Sequence, residues 1–560
     1  MTKTISFGLM MDDYPLTLTP IVERAEAFSA ERKVVSRRPD GSIHRSTIGE
    51  CARRARRLAS ALGRLGIEDG DRVATLLWNQ PEHLELYFAV PLMGAVLHTL
   101  NPRLGADELG FIVDDAEDRA IFVDESLLGV FDSFRLARQF EHVIVVSHSG
   151  SVPHGAIEYE SLITDVEPAR WPSLGERRAA AMCYTSGTTG RPKGVVYSHR
   201  ALVLHSLIAA LPDAISISSR DTILPVVPMF HVNAWGLPYV AAFAGTGLVL
   251  PGPRLNAASV LDLLADEQVT VTAGVPTVWM AVLQALDAEP DRWNLESLRQ
   301  MIVGGSAVPR SMFEGFDRHG LKIIHAWGMT ETSPLGTFCH CPADLDNTSD
   351  DERYEYRTRQ GIPSPFFEIR ARGDDGDLVR WDDESLGELE VRGPWVAAAY
   401  HRARGADSFT DDGWLKTGDI VRIDLRGCIR ISDRSKDLVK SGGEWISSVD
   451  LENHLMAHPA IAEAAVIAIP DVRWGERPLG VVVLRDGASA TPEELREHLA
   501  KRFAKWQLPD RFEFLGAIPR TATGKFKKTD LREQFAEGAV PVVPRAARLE
   551  VAPPSRKPAR

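Results

Sequence analysis

The 560-residue chain has no run of about 18 apolar residues, so the sequence offers no membrane-spanning helix. Residues 1–15 lack the basic region and apolar core of a secretory signal, which makes the cytoplasm the expected location. Cysteine is scarce: the five at positions 51, 183, 339, 341 and 428 form no disulfide pattern and suit a reducing compartment. Cys339-His340-Cys341 places two sulfurs two residues apart without a second pair, so no zinc site is expected there. An excess of basic residues is also missing. The net charge is −13 with acids spread along the chain, which argues against nucleic-acid binding.

At 44% hydrophobic and 25% charged, the composition is that of a globular protein. The length exceeds one ordinary core and implies two or more domains.

The most distinctive stretch is Thr185-Ser186-Gly187-Thr188-Thr189-Gly190-Arg191-Pro192-Lys193-Gly194. Apolar runs lead in and out of it. Glycines let backbone N–H groups converge, hydroxyls add donors, and Arg191 and Lys193 add charge. Such a loop suits a polyphosphate. It is not a Walker A loop, because the Gly-Lys-Ser/Thr ending is absent.

Around it the chain alternates short apolar runs with helical patterns, which predicts an α/β fold with a parallel sheet covered on both faces. Strands are expected at residues 72–78, 95–97, 121–123 and 143–146, then near 222–227, 248–251, 269–276 and 301–307. Thr47-Ile48-Gly49-Glu50 has capping-box form. The helix it opens carries Arg53, Arg54, Arg56 and Arg57, expected as a solvated face rather than a nucleotide contact. Ligands of open α/β sheets gather at strand carboxyl ends, where Pro228-Met229-Phe230-His231 and Gly304-Gly305-Ser306 fall.

In Ala326-Trp327-Gly328-Met329-Thr330-Glu331-Thr332, the indole suits stacking and the carboxylate suits a hard cation. Thr417-Gly418-Asp419 follows an apparent turn and by itself reads as turn-like. The charged stretch 431–445 ends in Gly442-Gly443-Glu444-Trp445, and a domain boundary is placed there. Beyond it a second α/β pattern begins, with strands near 464–470 and 479–484 and a helix capped by Thr491. Lys525 sits on a glycine-bearing loop, expected to be able to swing toward another domain's site. Residues 539–560 are rich in Pro, Ala and Arg and read as a disordered tail.

Taken together, Thr185–Gly194, Trp327–Thr332, Thr417–Asp419, Arg434–Glu444 and the Lys525 loop resemble the ordered motifs of the adenylate-forming acyl-CoA synthetases. The resemblance covers residues 15 to 538. Residues 228–235 and 443–447 look most like those of medium- and long-chain fatty acyl-CoA ligases, and are similar to those of methylmercaptopropionate-CoA ligases. One departure is Trp327, where the family usually has Tyr.

The resemblance implies a large N-terminal multi-sheet α/β domain, 1–434, which binds ATP and the acid. It also implies a smaller mobile C-terminal α+β domain, 435–538. The implied reaction joins a small-molecule carboxylic acid to coenzyme A through an acyl-adenylate, with ATP and Mg²⁺. Ser186, Gly187, Thr188, Thr189, Gly190 and Lys193 would hold phosphates, and Thr185 and Glu331 the metal. Gly304, Gly305, Ser306, Ala326, Trp327, Gly328, Met329 and Thr330 would surround the adenine and the acyl end. Asp419 and Arg434 would take the ribose. His231 would lie near the acyl carboxylate, and Trp235 would gate the acyl tunnel. Lys525 would bridge carboxylate and α-phosphate. Lys436 would be the hinge, with Lys440, Gly443, Glu444 and Trp445 on the coenzyme A side. A stand-alone adenylating enzyme loading a carrier protein, and a non-catalytic nucleotide-binding scaffold, stay open. So does the oligomeric state, a homodimer being common among such relatives.

Overall fold

The computed structural model describes residues 11, 13–185, 191–434, 437–441, 444–520 and 525–536. Among them the strands form four sheets. The apolar runs of the sequence become strands covered on both faces, as parallel pairing requires. Ala120–Asp124 and Gln300–Gly304, for example, are buried at every position.

The first sheet has seven strands in the order Ile157–Glu158, His142–Val146, Ala120–Asp124, Arg72–Leu76, Val96–Thr99, Ala179–Tyr184, Gly194–Ser198. Its last pair is antiparallel, and the loop at residues 185–193 joins these two strands. The second sheet has nine strands. Its centre runs Ile323–Trp327, Gln300–Gly304, Val271–Gly274, Thr222–Pro225 in parallel, so their carboxyl ends open on one side. The helix Ile48–Arg64 starts at the expected capping box, with Glu50 N bonded to Thr47 Oγ1 at 3.2 Å.

Two expectations need correction. Arg54 and Arg56 are not a solvated face. Arg54 pairs with Glu85 at 2.8 Å and Glu160 at 2.6 Å, and Arg56 with Glu26 at 2.8 Å. Thr417-Gly418-Asp419 is not a turn. It lies inside the nine-residue strand Leu415–Ile423 of a four-stranded antiparallel sheet.

C-terminal to this sheet comes a smaller α+β unit. Strands Glu444–Ile446, Val439–Ser441, Gly475–Leu484 and Ile461–Asp471 form an antiparallel run, and Arg511–Phe514 adds in parallel to Gly475–Leu484. Side chains of a strand alternate between faces. Val466 and Val482 therefore pack with Leu451, Leu455, Leu495 and Leu499 of helices Ser448–Met456 and Pro492–Ala500. On the other face, Ala465, Ile467 and Val481 pack on Leu531 of Lys528–Ala536. The Thr491 cap forms as expected. A large multi-sheet α/β part with a small C-terminal α+β part is the fold class the sequence implies. Lys436, Gly443 and the tail at 539–560 lie outside the described residues. No described helix is long and apolar enough to cross a membrane.

Candidate active site

A cavity of about 780 Å³ opens where the carboxyl ends of the nine-stranded sheet, the 185–193 loop, the four-stranded sheet and the C-terminal unit meet. Thr185, Lys193, His231, Trp235, Gly304, Gly305, Ala326, Trp327, Gly328, Met329, Thr330, Glu331, Arg434 and Lys525 line it. These residues come from both parts of the chain and lie up to hundreds of positions apart.

Thr185 closes the base of the phosphate-type loop. Its N–H donates to the Lys193 carbonyl at 2.9 Å, and its hydroxyl accepts from Lys193 N–H at 3.2 Å. The Lys193 ammonium reaches Ser408 Oγ at 3.3 Å and sits 4.7 Å from the centre of the Tyr400 ring. Gly405 makes room for it, since a Cβ there would lie 2.3 Å from Nζ. Ser186, Gly187, Thr188, Thr189 and Gly190 lie outside the described residues.

Strand Ile323–Trp327 delivers the next group. Gly328 is sterically required, because a Cβ on it would fall 1.5 Å from the Pro334 carbonyl oxygen. The short turn Thr330–Thr332 then presents Glu331, 6% exposed, whose Oε1 accepts the Tyr400 hydroxyl at 2.6 Å. Tyr400 carries no motif and went unread in the sequence; its partner is far away along the chain. The Tyr400 hydroxyl fixes one carboxylate oxygen and leaves the other available. With the Thr185 hydroxyl in the same cavity, the donors are all oxygen, which fits a magnesium ion.

Trp327 packs edge-on against Phe367 at 6.3 Å, and its indole N–H donates to Asp419 Oδ2 at 3.0 Å. Asp419 Oδ1 takes Arg434 Nε at 2.6 Å. Asp419 is 2% exposed and lies behind Trp327 and Arg434, not on the cavity wall itself. Ser306 is exposed and also off that wall, whereas its neighbours Gly304 and Gly305 form part of it.

His231 ends the loop before the Trp235 segment. Burial, then the Lys525 ammonium and the Arg103 guanidinium, push its imidazole down to about 3, so it is neutral at working pH. Lys525 lines the same cavity as His231. The other two lysines of that segment have different fates. Lys527 pairs with Asp530 at 3.0 Å on the surface. Lys528 pairs with Glu452 at 2.6 Å in the interior.

Val232, Asn233, Ala234 and Trp235 have φ of 45°, 50°, 51° and 55°, followed by Gly236 at 72°. This is one left-handed turn, and each non-glycine residue in it costs roughly 1–2 kcal/mol. The segment leading into it is held by Asn79, buried, which donates to the Pro225 and Val227 carbonyls at 2.9 and 3.0 Å and accepts from Met229 N–H at 2.6 Å. The turn throws the Trp235 indole across the cavity toward Gly304, where a Cβ would lie 3.5 Å from the ring tip.

Lys440 and Trp445 are off the cavity. Lys440 Nζ lies 4.6 Å from the Trp445 ring centre, in the C-terminal unit. The backbone of Glu444 belongs to a strand of that unit.

A family profile described as AMP-binding enzyme matches residues 22–401, and one described as AMP-binding enzyme C-terminal domain matches residues 450–525. The chain belongs to the AMP-binding enzyme family. Among relatives, it is 49% identical over 535 residues to a long-chain-fatty-acid–CoA ligase of Thermus thermophilus, covering 95% of this chain and 97% of that one. It is 43% identical to a medium-chain-fatty-acid–CoA ligase of Ectopseudomonas oleovorans, with 95% and 98% covered. It is 42% identical to a 3-methylmercaptopropionyl-CoA ligase of Ruegeria lacuscaerulensis, with 95% and 99% covered. Among solved structures, the anthranilate CoA ligase AuaEII in complex with anthranoyl-AMP superposes with a TM-score of 0.84 at 25% identity, over 94% of this chain and 99% of that one. The o-succinylbenzoate coenzyme A synthetase of Bacillus subtilis with ATP and magnesium gives 0.75 at 26% identity, over 91% and 99%. This AMP-binding enzyme thus shares its whole architecture with acid–CoA ligases, and its cavity lies where strand ends and the C-terminal unit converge.

Proposed function

We propose that the chain is an AMP-forming acid–thiol ligase that activates a medium- or long-chain aliphatic acid and passes it to coenzyme A. Three CoA ligases of aliphatic acids, similar over nearly their full length, support the substrate class. The observation that carries the reading is the meeting of Lys525, Glu331, Thr185 and His231 in one cavity between the two parts of the chain.

The acid's carboxylate attacks the α-phosphorus of ATP, giving acyl-adenylate and pyrophosphate. Two anions must be aligned and their charge neutralised for this step. The loop 185–194, with Lys193, holds the phosphates. Thr185 and Glu331 would hold Mg²⁺, which would neutralise phosphate charge. Lys525 donates to the carboxylate and the α-phosphate together. Gly304, Gly305 and Trp327 receive the adenine. Arg434, braced from behind by Asp419, reaches the ribose. His231, neutral, sits by the acyl carboxylate without adding positive charge there.

In the second step the thiol of coenzyme A attacks the adenylate carbonyl and AMP leaves. Lys525 must first withdraw. The reading divides the chain at 434 and 435 and has the unit 435–538 rotate about Lys436, with 539–560 a tail. Lys440, Gly443, Glu444 and Trp445 then turn toward the thiol's path, which accounts for the position of Lys440 and Trp445 away from the cavity in the present arrangement. The enzyme works in the cytoplasm.

A panel of carboxylic acids, scored by AMP release with and without coenzyme A, tests this. Aliphatic acids should release AMP in a coenzyme A-dependent way with acyl-CoA formed in equal amount. Adenylate formation with no transfer to coenzyme A would point instead to a carrier protein as acceptor.

A further inference from the structure

Ile215, Val232, Trp235, Ile302 and Phe338 give the cavity apolar lining, and His205 lines the same cavity. His205 lies on the helix His199–Ala209 and is 1% exposed. Its ring is wedged against the turn that carries Trp235. A Cβ on Gly236 would lie 2.4 Å from Cε1, 2.7 Å from Nδ1 and 3.4 Å from Nε2. Glycine at 236 therefore serves both the positive φ and the close ring.

Nδ1 is buried with no hydrogen-bond partner. Other buried histidines have at least one partner: His83 has Thr75 and the Trp78 carbonyl, His98 has Asp118, His199 accepts from Leu18 N–H and His325 has the Thr358 carbonyl, although Nε2 of His98 and of His199 is also without one. Burial alone holds His205 neutral, at about 4. A neutral imidazole has one N–H and one bare lone pair. A buried N–H without an acceptor is costlier than an unused lone pair, so the proton belongs on Nε2, the nitrogen turned away from Gly236. A hydrocarbon chain would give that donor nothing, and leucine or phenylalanine would line such a chain better.

We infer that His205 is a specificity-determining residue. It donates a hydrogen bond to an oxygen function, a hydroxyl or oxo group, carried on the acyl chain of the substrate. The inference rests on the ligase reading above and names its substrate more narrowly.

The test compares kcat/KM for octanoate with that for a series of monohydroxy and mono-oxo octanoates, in the pyrophosphate-exchange half-reaction. Wild type, His205→Phe and His205→Gln are measured side by side, with octanoate as each enzyme's own reference. A site built around a donor discriminates strongly, so for at least one regioisomer the ratio to octanoate should fall about tenfold or more in His205→Phe. His205→Gln, which keeps a donor, should retain most of the ratio and covers the case of a misfolded phenylalanine variant. Equal ratios in wild type and both variants for every acid would overturn the inference and leave the ring as packing or a water ligand. Brisk octanoate turnover with such equal ratios would leave the ligase reading standing. Wild-type inactivity on every acid would overturn both.

Discussion

The indole N–H of Trp327 donates to Asp419 Oδ2 at 3.0 Å, across 92 positions of sequence, while Arg434 holds the other oxygen at 2.6 Å. The aromatic expected to stack on adenine thus also fixes the carboxylate expected at the ribose. Replacing Trp327 by Phe keeps an aromatic face but leaves a buried carboxylate oxygen without its donor. That costs about 1–3 kcal/mol. The KM for ATP should rise roughly 5- to 100-fold with a smaller change in KM for the acid, and an unchanged KM for ATP would show that the bond does not organise the nucleotide pocket.

Tyr400 bears on the metal. Its hydroxyl holds Glu331 at 2.6 Å, so Tyr400→Phe frees the carboxylate to rotate. A hydrogen bond to a charged group contributes about 1.5–3 kcal/mol. The magnesium concentration giving half-maximal pyrophosphate exchange should increase about tenfold or more, and saturating magnesium should restore most of the rate. No shift in the magnesium dependence would separate Tyr400 from the ion.

The left-handed turn at Val232–Trp235 makes two opposite predictions. Ala234→Gly relieves a strained φ, so stability should rise by up to about 1 kcal/mol, measured by denaturant midpoint, instead of falling as glycine does in a right-handed helix. Trp235→Ala should loosen chain-length selection. Each buried methylene contributes about 0.8 kcal/mol, so kcat/KM against chain length should lose its optimum. An identical profile would rule out a gate at Trp235.

Four buried histidines and the half-buried His231 set an acid limit. Burial is the leading cause in each case, placing His83, His199, His205 and His325 near 4 and His231 near 3, against an ordinary value of 6.5. The unfolded chain therefore binds protons that the folded chain refuses. Their contribution is complete above pH 6.5 and is lost as pH falls toward 4, by up to about 1.4 kcal/mol per pH unit for each histidine. Denaturation at about pH 7.5, 6.5 and 5.5 should show a modest loss over the first interval and a steeper one over the second. A flat profile would contradict the burial of these rings as neutral groups.

Much of this was legible in the chain. Apolar runs buried on both faces, such as Ala120–Asp124, gave away the parallel sheets, and Thr47 and Thr491 announced their helices. Thr417–Asp419 misled because its strand alternates correctly but places Thr417 and Asp419 on the inward face between Leu415 and Val421. Polar residues at core positions erase the period that reveals a strand. Arg54, Tyr400 and His205 were opaque for another reason. Their meaning lies in Glu85, Glu331 and Gly236, partners that only folding brings near. The lysines at 525, 527 and 528 look alike in sequence and diverge through surroundings alone.

Those three lysines also supply the most direct test. Lys528→Ala strands the buried Glu452 carboxylate and should cost about 3–5 kcal/mol of stability, whereas Lys527→Ala should cost almost none. Lys525→Ala is read by its chemistry. Removing such a charged contact is worth about 3–4 kcal/mol, so adenylation should slow by roughly two to three decades. Transfer from supplied acyl-adenylate to coenzyme A should stay within a few-fold of wild type. An equal loss in both half-reactions would contradict the account, because the lysine would then not leave the cavity between steps.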